Sequence, residues 1–277
     1  MVNILYCGDA NICDGVLVSV LSLLANQSDD LHIYLATADL AVAGGRWRGV
    51  DAGFAARLDD LVRWERPGSS VVRIDATTAL ASFPPTANLS TRFTPLCMLR
   101  LCADLFEELV GEERVLYLDN DVLCHGPLLP LYRCPLGTAE IGGVLDRYGR
   151  WFFHNQARAW DYLNSGVLLM NLPRMRQTGV LRRCRELCAT RRMFMPDQTA
   201  LNKLAAEKLF FPRCFNEQRR LRDDTRLQHF TTRFSARGLL TVKPWEVERV
   251  HEVLGLHAYD DVFDRYCQIR SQIIRDA

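Results

Sequence analysis

Arg114-Val-Leu-Tyr-Leu-Asp119-Asn-Asp121-Val-Leu123 runs a stretch of β-prone, apolar residues straight into two carboxylates two positions apart, with apolar residues following. A short apolar run bounded by polar residues reads as a buried strand of an α/β sheet. Ligands of such open sheets bind outside the carboxyl ends of the strands, so Asp119 and Asp121 stand where chemistry is usually done. Carboxylates at i and i+2 can aim at one point if the chain turns there. They repel unless a cation sits between them, and hard oxygen ligands suit Mg²⁺ or Mn²⁺. The plain alternative is an Asp pair capping the next turn. On these three residues alone that alternative carries more weight, because Asp-x-Asp is frequent by chance.

Outward from this stretch, residues 2–7, 31–36 and 71–75 read as strands. An apolar helix over 16–24 and a short one over 56–63 separate them, and this β-α-β-α-β opening predicts a parallel sheet. Residues 76–93 hold Thr, Ser, Pro and Asn and read as loop. A helix over about 95–109 leads to the central strand. Further strands are expected at 141–146, at 166–172 (closed by Pro173) and at 209–211. Helices are expected at 174–190, 197–208 and 262–274, the last amphipathic with a mixed-charge face. From 216 to 243 the pattern breaks into charged and polar loop. With no repeat and no low-complexity linker, one domain is expected: a core of about 1–215 and a less regular C-terminal lobe of about 216–277.

The chain has 277 residues, 48% of them apolar, and its 34 basic and 33 acidic side chains leave a net charge of +1. Core-forming material is ample, and no global field calls for nucleic acid or an acidic membrane. Ten cysteines are scattered without a Cys-x-x-Cys pair, which predicts buried free thiols in a reducing compartment. Cys184 and Cys188 stand four apart on a helix but lack a matching His or Cys pair for a metal. No basic segment followed by an apolar core opens the chain, so a soluble cytoplasmic protein is expected. The longest apolar stretch, 15–25, is too short to span a bilayer. Arg219-Arg220-Leu-Arg222 runs directly into Asp223-Asp224 and reads as a solvated loop, with acceptor or lipid-head contact as the functional alternative.

Taken in order, several stretches form a series: Cys7-Gly-Asp9-Ala-Asn11, Phe93-Thr-Pro-Leu-Cys-Met-Leu-Arg100-Leu, Val115-Leu-Tyr-Leu-Asp119-Asn-Asp121-Val-Leu, and Tyr162-Leu-Asn164-Ser-Gly166-Val-Leu-Leu-Met-Asn171-Leu. Asp197-Gln198-Thr-Ala-Leu-Asn202, His229-Phe-Thr and Lys243-Pro-Trp245 complete it. This series resembles the family 8 glycosyltransferases, retaining nucleotide-sugar transferases that include bacterial lipopolysaccharide galactosyl- and glucosyltransferases and, more remotely, glycogenin. Asn-Ser-Gly-Val and Lys-Pro-Trp are its most specific parts. The resemblance implies a GT-A type α/β fold, a Rossmann-like, mixed and mostly parallel sheet flanked by helices. It implies a UDP-sugar donor (UDP-glucose or UDP-galactose), Mn²⁺ or Mg²⁺, and a glycan or glycolipid acceptor. It also allows peripheral contact at the inner face of the membrane.

By the same resemblance, Asp119, Asp121 and His229 are the metal ligands, and Lys243 contacts the diphosphate as a point charge. Asp9 and Asn11 face the uracil and ribose, although Asp9 could equally cap the following helix. Ile12 stands where the family often has an aromatic residue. Arg100 reaches the donor sugar and diphosphate; its alternative is an ordinary surface Arg. Asn120 is placed with the donor-binding residues. Asp146, Asn164 and Gln198 line the sugar end, with Asp197 beside them in what could be an N-cap. Retention through a covalent intermediate needs a carboxylate nucleophile; Gln198 is a poor one, so front-face departure and attack is expected. Residues 230–242 are longer than the family's short form. Gly238 is then the candidate for close approach to the diphosphate, and Arg233 and Arg237 are candidates for a lid. Two rivals remain: a haloacid dehalogenase-type phosphatase with Asp119 as nucleophile, which would want Thr or Val at Leu123, and a non-catalytic UDP-sugar-binding module.

Overall fold

The computed structural model describes residues 1–42, 45–89, 94–149, 161–235 and 238–275. Within it the apolar runs form β1 (Val2–Cys7), β2 (Leu31–Thr37), β3 (Leu40–Val42), β4 (Gly45–Trp47), β5 (Ser70–Asp75), β6 (Arg114–Leu118) and β7 (Val122–Cys124). After these come β8 (Ile141–Leu145), β9 (Leu163–Asn171), β10 (Lys208–Phe210), β11 (Leu227–His229), β12 (Arg233–Ser235) and β13 (Gly238–Leu240). Seven of them make the main sheet, in the order β10-β8-β9-β6-β1-β2-β5. β1 runs parallel to β2 and β6, and β2 parallel to β5. β9 is antiparallel to both of its neighbours, β6 and β8.

Every residue of β1 is buried. Ile4 and Tyr6 join one apolar cluster, while Leu5 and Cys7 join the other. Period-2 alternation with apolar residues on both faces is what a sheet covered on both sides requires. The helix Cys13–Asn26 supplies part of one cover through Val16, Leu17, Val20 and Leu21, each contributing roughly 1.5–3 kcal/mol of burial. The C-terminal helix Asp260–Ile273 is tied to that helix by Tyr266 and Arg270, which donate to Asp14 Oδ1 at 2.5 and 2.6 Å.

The strand order positions the site. β2 and β5 build outward on one side of β1, and the chain then crosses to β6 on its other side. That reversal opens a crevice at the carboxyl ends of β1 and β6. Because β9 is antiparallel, its first residues lie at this same edge: Leu118 pairs with Val167, and Asp119 N–H donates to Gly166 O at 2.8 Å.

Several expected elements are corrected. The helix expected over 95–109 is two 3₁₀ segments, Pro95–Cys102 and Glu107–Leu109. Nearly every residue of the first segment is buried, so no 3.6-residue stripe existed to reveal its true winding. The loop expected at 76–93 contains the helix Thr77–Ser82 and the 3₁₀ turn Thr86–Asn88. The helix expected over 174–190 is split into Leu172–Thr178 and Val180–Thr190 by Gly179 at φ +65°, a left-handed stop that glycine takes without strain. β9 starts three residues earlier than expected, and Pro173 opens the next helix instead of only closing the strand. Residues 216–243, expected as loop, contain β11 and the β12–β13 hairpin, and a further helix spans Val247–Leu254.

Candidate active site

Asp119 and Asp121 flank a tight turn between β6 and β7, closed by Val122 N–H donating to Asp119 O at 3.1 Å. β11 pairs antiparallel with β7, setting His229 opposite Val122, and Phe230 N–H donates to Asp121 O at 2.9 Å. A residue 108 positions away in sequence thus arrives beside the acid pair. His229 Nε2 lies 3.1 Å from Asp121 Oδ1 and 3.7 Å from Asp119 Oδ2. Together the three form a group whose ligand atoms lie within 4.8 Å of one another.

The hydrogen bonds around His229 decide which ring nitrogen faces the acids. Gly166 N–H can only donate, and it does so to Asn164 Oδ1 at 3.0 Å. Asn216 Nδ2 donates to that same oxygen at 2.9 Å, so the carbonyl of Asn216 is turned toward His229 Nδ1, 3.2 Å away. An acceptor at that place keeps the proton on Nδ1 and points the Nε2 lone pair at the carboxylates. A lone pair facing two carboxylate oxygens is repulsive unless a cation lies between. Separations near 3 Å are also the edges of an octahedron with bonds of about 2.1 Å. The donor set therefore fits a hard divalent ion.

The remaining atoms of the acid pair are assigned as well. Asp119 Oδ1 accepts from Tyr117 OH (2.6 Å) and Arg100 (2.9 Å), leaving Oδ2 toward the histidine. Burial raises the Tyr117 phenol well above its ordinary range against the pull of Arg100, so it stays a donor. Lys243 Nζ donates to Asp121 Oδ2. Burial would raise the Asp121 carboxyl, but the Lys243 ammonium beside it holds it far below the usual range.

Arg100 is no surface residue: its side chain is 4% exposed and lies 4.0 Å over the Tyr117 ring. Besides Asp119, it binds Asp197 Oδ2 (3.1 Å), Ser165 O (2.8 Å) and Cys97 O (2.9 Å). Three residues per 3₁₀ turn place Cys97 and Arg100 in one row. Asp197 is not an N-cap; Met195 holds that position, and Asp197 sits in the first turn of the helix Pro196–Leu204. Burial raises its carboxyl despite the pull of Arg100.

Across the cleft, where the resemblance places the sugar, Asp146 Oδ1 accepts from the backbone N–H groups of Tyr148 (2.9 Å) and Gly149. Its Oδ2 accepts from Asn164 (2.9 Å) and Gln198 (3.1 Å). Gln198 Oε1 in turn accepts from Ser165 N–H (2.9 Å) and its hydroxyl (3.2 Å). These groups line a cleft of about 310 Å³, together with Ile12, Cys97, Asn120, Phe194 and Lys243. That size suits a small-molecule site.

Asp9 is buried and caps the 3₁₀ turn Ala10–Ile12 through Asn11 N–H (2.9 Å), with Thr94 donating to its other oxygen at 2.8 Å. Neither Asp9 nor the exposed Asn11 lines the cleft, whereas Ile12 does. Gly238 stands exposed at the hairpin turn with φ +109°. Phe93 and Arg237 lie outside the described residues.

Sequence reasoning missed Asn216, Tyr117 and Gly15. Asn216 sits in an irregular stretch that offers no pattern; Tyr117 was legible as the residue two before Asp119 on one strand face. A side chain at Gly15 would meet Asn120 O and the Trp245 ring, both at 2.6 Å, so a glycine inside an apolar helix was the signal there. Gly166 is packed similarly. A methyl there would collide with the His229 ring, 2.7 Å from Nδ1 and 2.8 Å from Asp119 Oδ2. Gly166→Ala is expected to weaken divalent-cation binding at this cluster by about 10–100-fold with every ligand retained, in line with other perturbations that leave the ligands in place. Calorimetric titration checks this, and unchanged affinity would show that the ring tolerates displacement.

A mixed, mostly parallel sheet in this order with a hard-ligand cluster at its switch point is an arrangement shared with glycosyltransferases of the GT-A fold. The chain belongs to glycosyl transferase family 8, whose model matches residues 3–233. Among solved structures it is similar to the galactosyltransferase LgtC in complex with donor and acceptor sugar analogues, with a TM-score of 0.69 and 20% identity over 99% of this chain and 97% of that one. GlyE of Streptococcus pneumoniae TIGR4 aligns with a TM-score of 0.64 and 16% identity over 97% of this chain and 64% of that one. In sequence, GlyF of Streptococcus pneumoniae serotype 4 is 32% identical over 97 residues, 34% of this chain and 23% of GlyF. The lipopolysaccharide glucosyltransferase WaaO of Escherichia coli K12 is 30% identical over 109 residues, 35% of this chain and 32% of WaaO. These matches span about a quarter and a third of those relatives. Among the described residues, no helix is long and apolar enough to cross a membrane.

Proposed function

We propose that this protein is a retaining, Mn²⁺-dependent transferase that moves glucose or galactose from UDP to a hydroxyl of a glycan or glycolipid acceptor. The observation that carries the reading is His229 Nε2 turned onto Asp119 and Asp121 at 3.7 and 3.1 Å. The two candidate sugars follow the relatives, one named a glucosyltransferase and another a galactosyltransferase. Asp119, Asp121 and His229 hold the metal, which supplies Lewis-acid stabilisation of the departing diphosphate. Lys243 leaves Asp121 to bind that diphosphate, Asn120 lies alongside, and Arg100 holds Asp119 and Asp197 in register. The C-terminal part, about 216–277, contributes His229 and Lys243 and closes the metal end of one domain. Asp9, through the turn it caps, and Asn11 on that turn receive the uridine, with Ile12 as an aliphatic contact to the base.

Among the described residues at the sugar end, neither Asp146 nor Gln198 is free to act as a nucleophile. Asp146 already accepts four hydrogen bonds, and the Gln198 oxygen two. That supports front-face attack, with the leaving phosphate taking the acceptor's proton and the fixed dipoles of Asn164 and Gln198 stabilising charge on the sugar. Gln198→Ala is then expected to lower turnover about 100-fold while leaving donor affinity nearly unchanged. Equal losses in kcat and donor binding would make Gln198 a binding residue only. The phosphatase and non-catalytic alternatives find no support. The would-be phosphatase nucleophile, Asp119, is already held by Tyr117 and Arg100. Screening UDP-sugars for slow Mn²⁺-dependent hydrolysis without an acceptor tests the reading; no hydrolysis of any donor would sink it.

A further inference from the structure

The corner between the last two helices, Val247–Leu254 and Asp260–Ile273, carries a second group of metal-ligand side chains, none of which lines the cleft. His251 comes from the last turn of the first helix, His257 from the connecting loop and Asp260 from the first turn of the second helix. His251 Nε2 lies 2.9 Å from Asp260 Oδ1, and His257 Nδ1 lies 3.1 Å from Asp260 Oδ2. The two imidazoles stack, with centroids 4.6 Å apart and planes 19° from parallel. The three ligand atoms lie within 4.8 Å of one another. The backbone fixes this arrangement. Gly255, at φ +57°, turns the chain and donates its N–H to His251 O at 2.9 Å, while Asp260 N–H donates to His257 O at 3.2 Å. The buried Phe263 ring braces His251 edge-on, 6.0 Å between centroids.

Hydrogen bonding accounts for part of this: two neutral imidazoles can each donate an N–H to the carboxylate. It leaves the charge unsettled. Asp260 has no Lys or Arg partner among the described residues, so with neutral rings the cluster is an anion. With both rings protonated, two like charges are stacked face to face. A cation in place of the two ring protons removes both problems. Separations near 3 Å are also roughly the spacing of neighbouring ligands around an ion with bonds of about 2.0 Å. Two imidazoles and one carboxylate suit a borderline ion such as Zn²⁺, whereas the cleft cluster has one imidazole and two carboxylates. We propose that His251 Nε2, His257 Nδ1 and Asp260 bind a divalent ion of the zinc class, with water in the fourth position. The ion staples the two helices together. It thereby braces the segment that carries Lys243, because Glu246 N–H donates to Lys243 O at 3.0 Å and the first helix follows at once. This holds whether or not the protein transfers sugar.

The test titrates zinc chloride into the full chain after EDTA treatment and removal of the chelator. Asp121→Ala serves as background, since its cleft cluster lacks a ligand. Calorimetry is expected to show one equivalent bound, and imidazole ¹⁵N resonances to respond at Nε2 of His251 and Nδ1 of His257. The same two nitrogens should respond in wild type, where folding is not in question. Adding His257→Asn or Asp260→Asn should weaken binding by at least about tenfold. Circular dichroism should stay unchanged, because these side chains are 65% and 44% exposed. Cys267→Ser, which removes the exposed thiol of the last helix, should leave the affinity as it was. No zinc bound, an affinity that survives both ligand variants, or a response at other ring nitrogens overturns the proposal. Loss of binding in Cys267→Ser overturns it in favour of a thiolate site.

Discussion

Asp121→Ala is expected to lower kcat/KM for sugar transfer by about a thousandfold or more and to abolish measurable Mn²⁺ binding. The reasoning starts from the two oxygens of this carboxylate. One faces His229 Nε2 at 3.1 Å, and the other takes the Lys243 ammonium. Removing both leaves two ligands, Asp119 and His229, too few to hold a hard ion at ordinary concentrations. Losing Lewis-acid stabilisation of a departing diphosphate costs several kcal/mol, and about 4 kcal/mol is a thousandfold in rate. The comparison with Asp121→Asn separates charge from shape, since the amide keeps the volume but offers one neutral oxygen. Mn²⁺ titration followed by electron paramagnetic resonance, beside steady-state kinetics, is the measurement. Wild-type turnover in Asp121→Ala at ordinary Mn²⁺ would end the metal assignment.

The second large effect falls on stability. Arg100→Ala is expected to cost about 3–5 kcal/mol, because removing one partner of a buried ion pair strands the other's charge. Here two carboxylates are stranded, Asp119 and Asp197, along with the carbonyls of Ser165 and Cys97. For a chain of this length the melting temperature should fall by roughly 10 °C. Adding Asp197→Asn should recover part of the loss, since an amide does not suffer as an unpaired buried charge, and non-additivity between contacting sites is the expected signature. Urea denaturation of the two variants checks it. Independent, additive effects would show that Arg100 and Asp197 do not share one network.

Much of the fold could be read before any coordinates. The strands β1, β2, β5 and β6 were legible because burial on both faces leaves continuous apolar runs with polar ends. The acid pair was legible because it ends one of those runs. The winding of Pro95–Cys102 was not, since nearly total burial erases the period that distinguishes helix types. Nor was the plain reading of Asp9 wrong: it caps the 3₁₀ turn Ala10–Ile12. For Asp197 the plain reading failed, because an acid early in a helix looks the same on paper whether it caps the backbone or neutralises a buried arginine. Asn216 gave no sign at all, lying in a stretch without periodicity.

The sequence by itself determined the class of sheet, the edge at which chemistry belongs and the residue types that would gather there. Those depend on local periodicity and on chemistry that each residue carries wherever it sits. Only the tertiary structure decided that His229 turns Nε2 and not Nδ1 toward the acids. That choice passes from Gly166 through Asn164 and Asn216, residues as far as 65 positions from the histidine. A proton's position is fixed by which partners meet in space, and separation along the chain does not record such meetings.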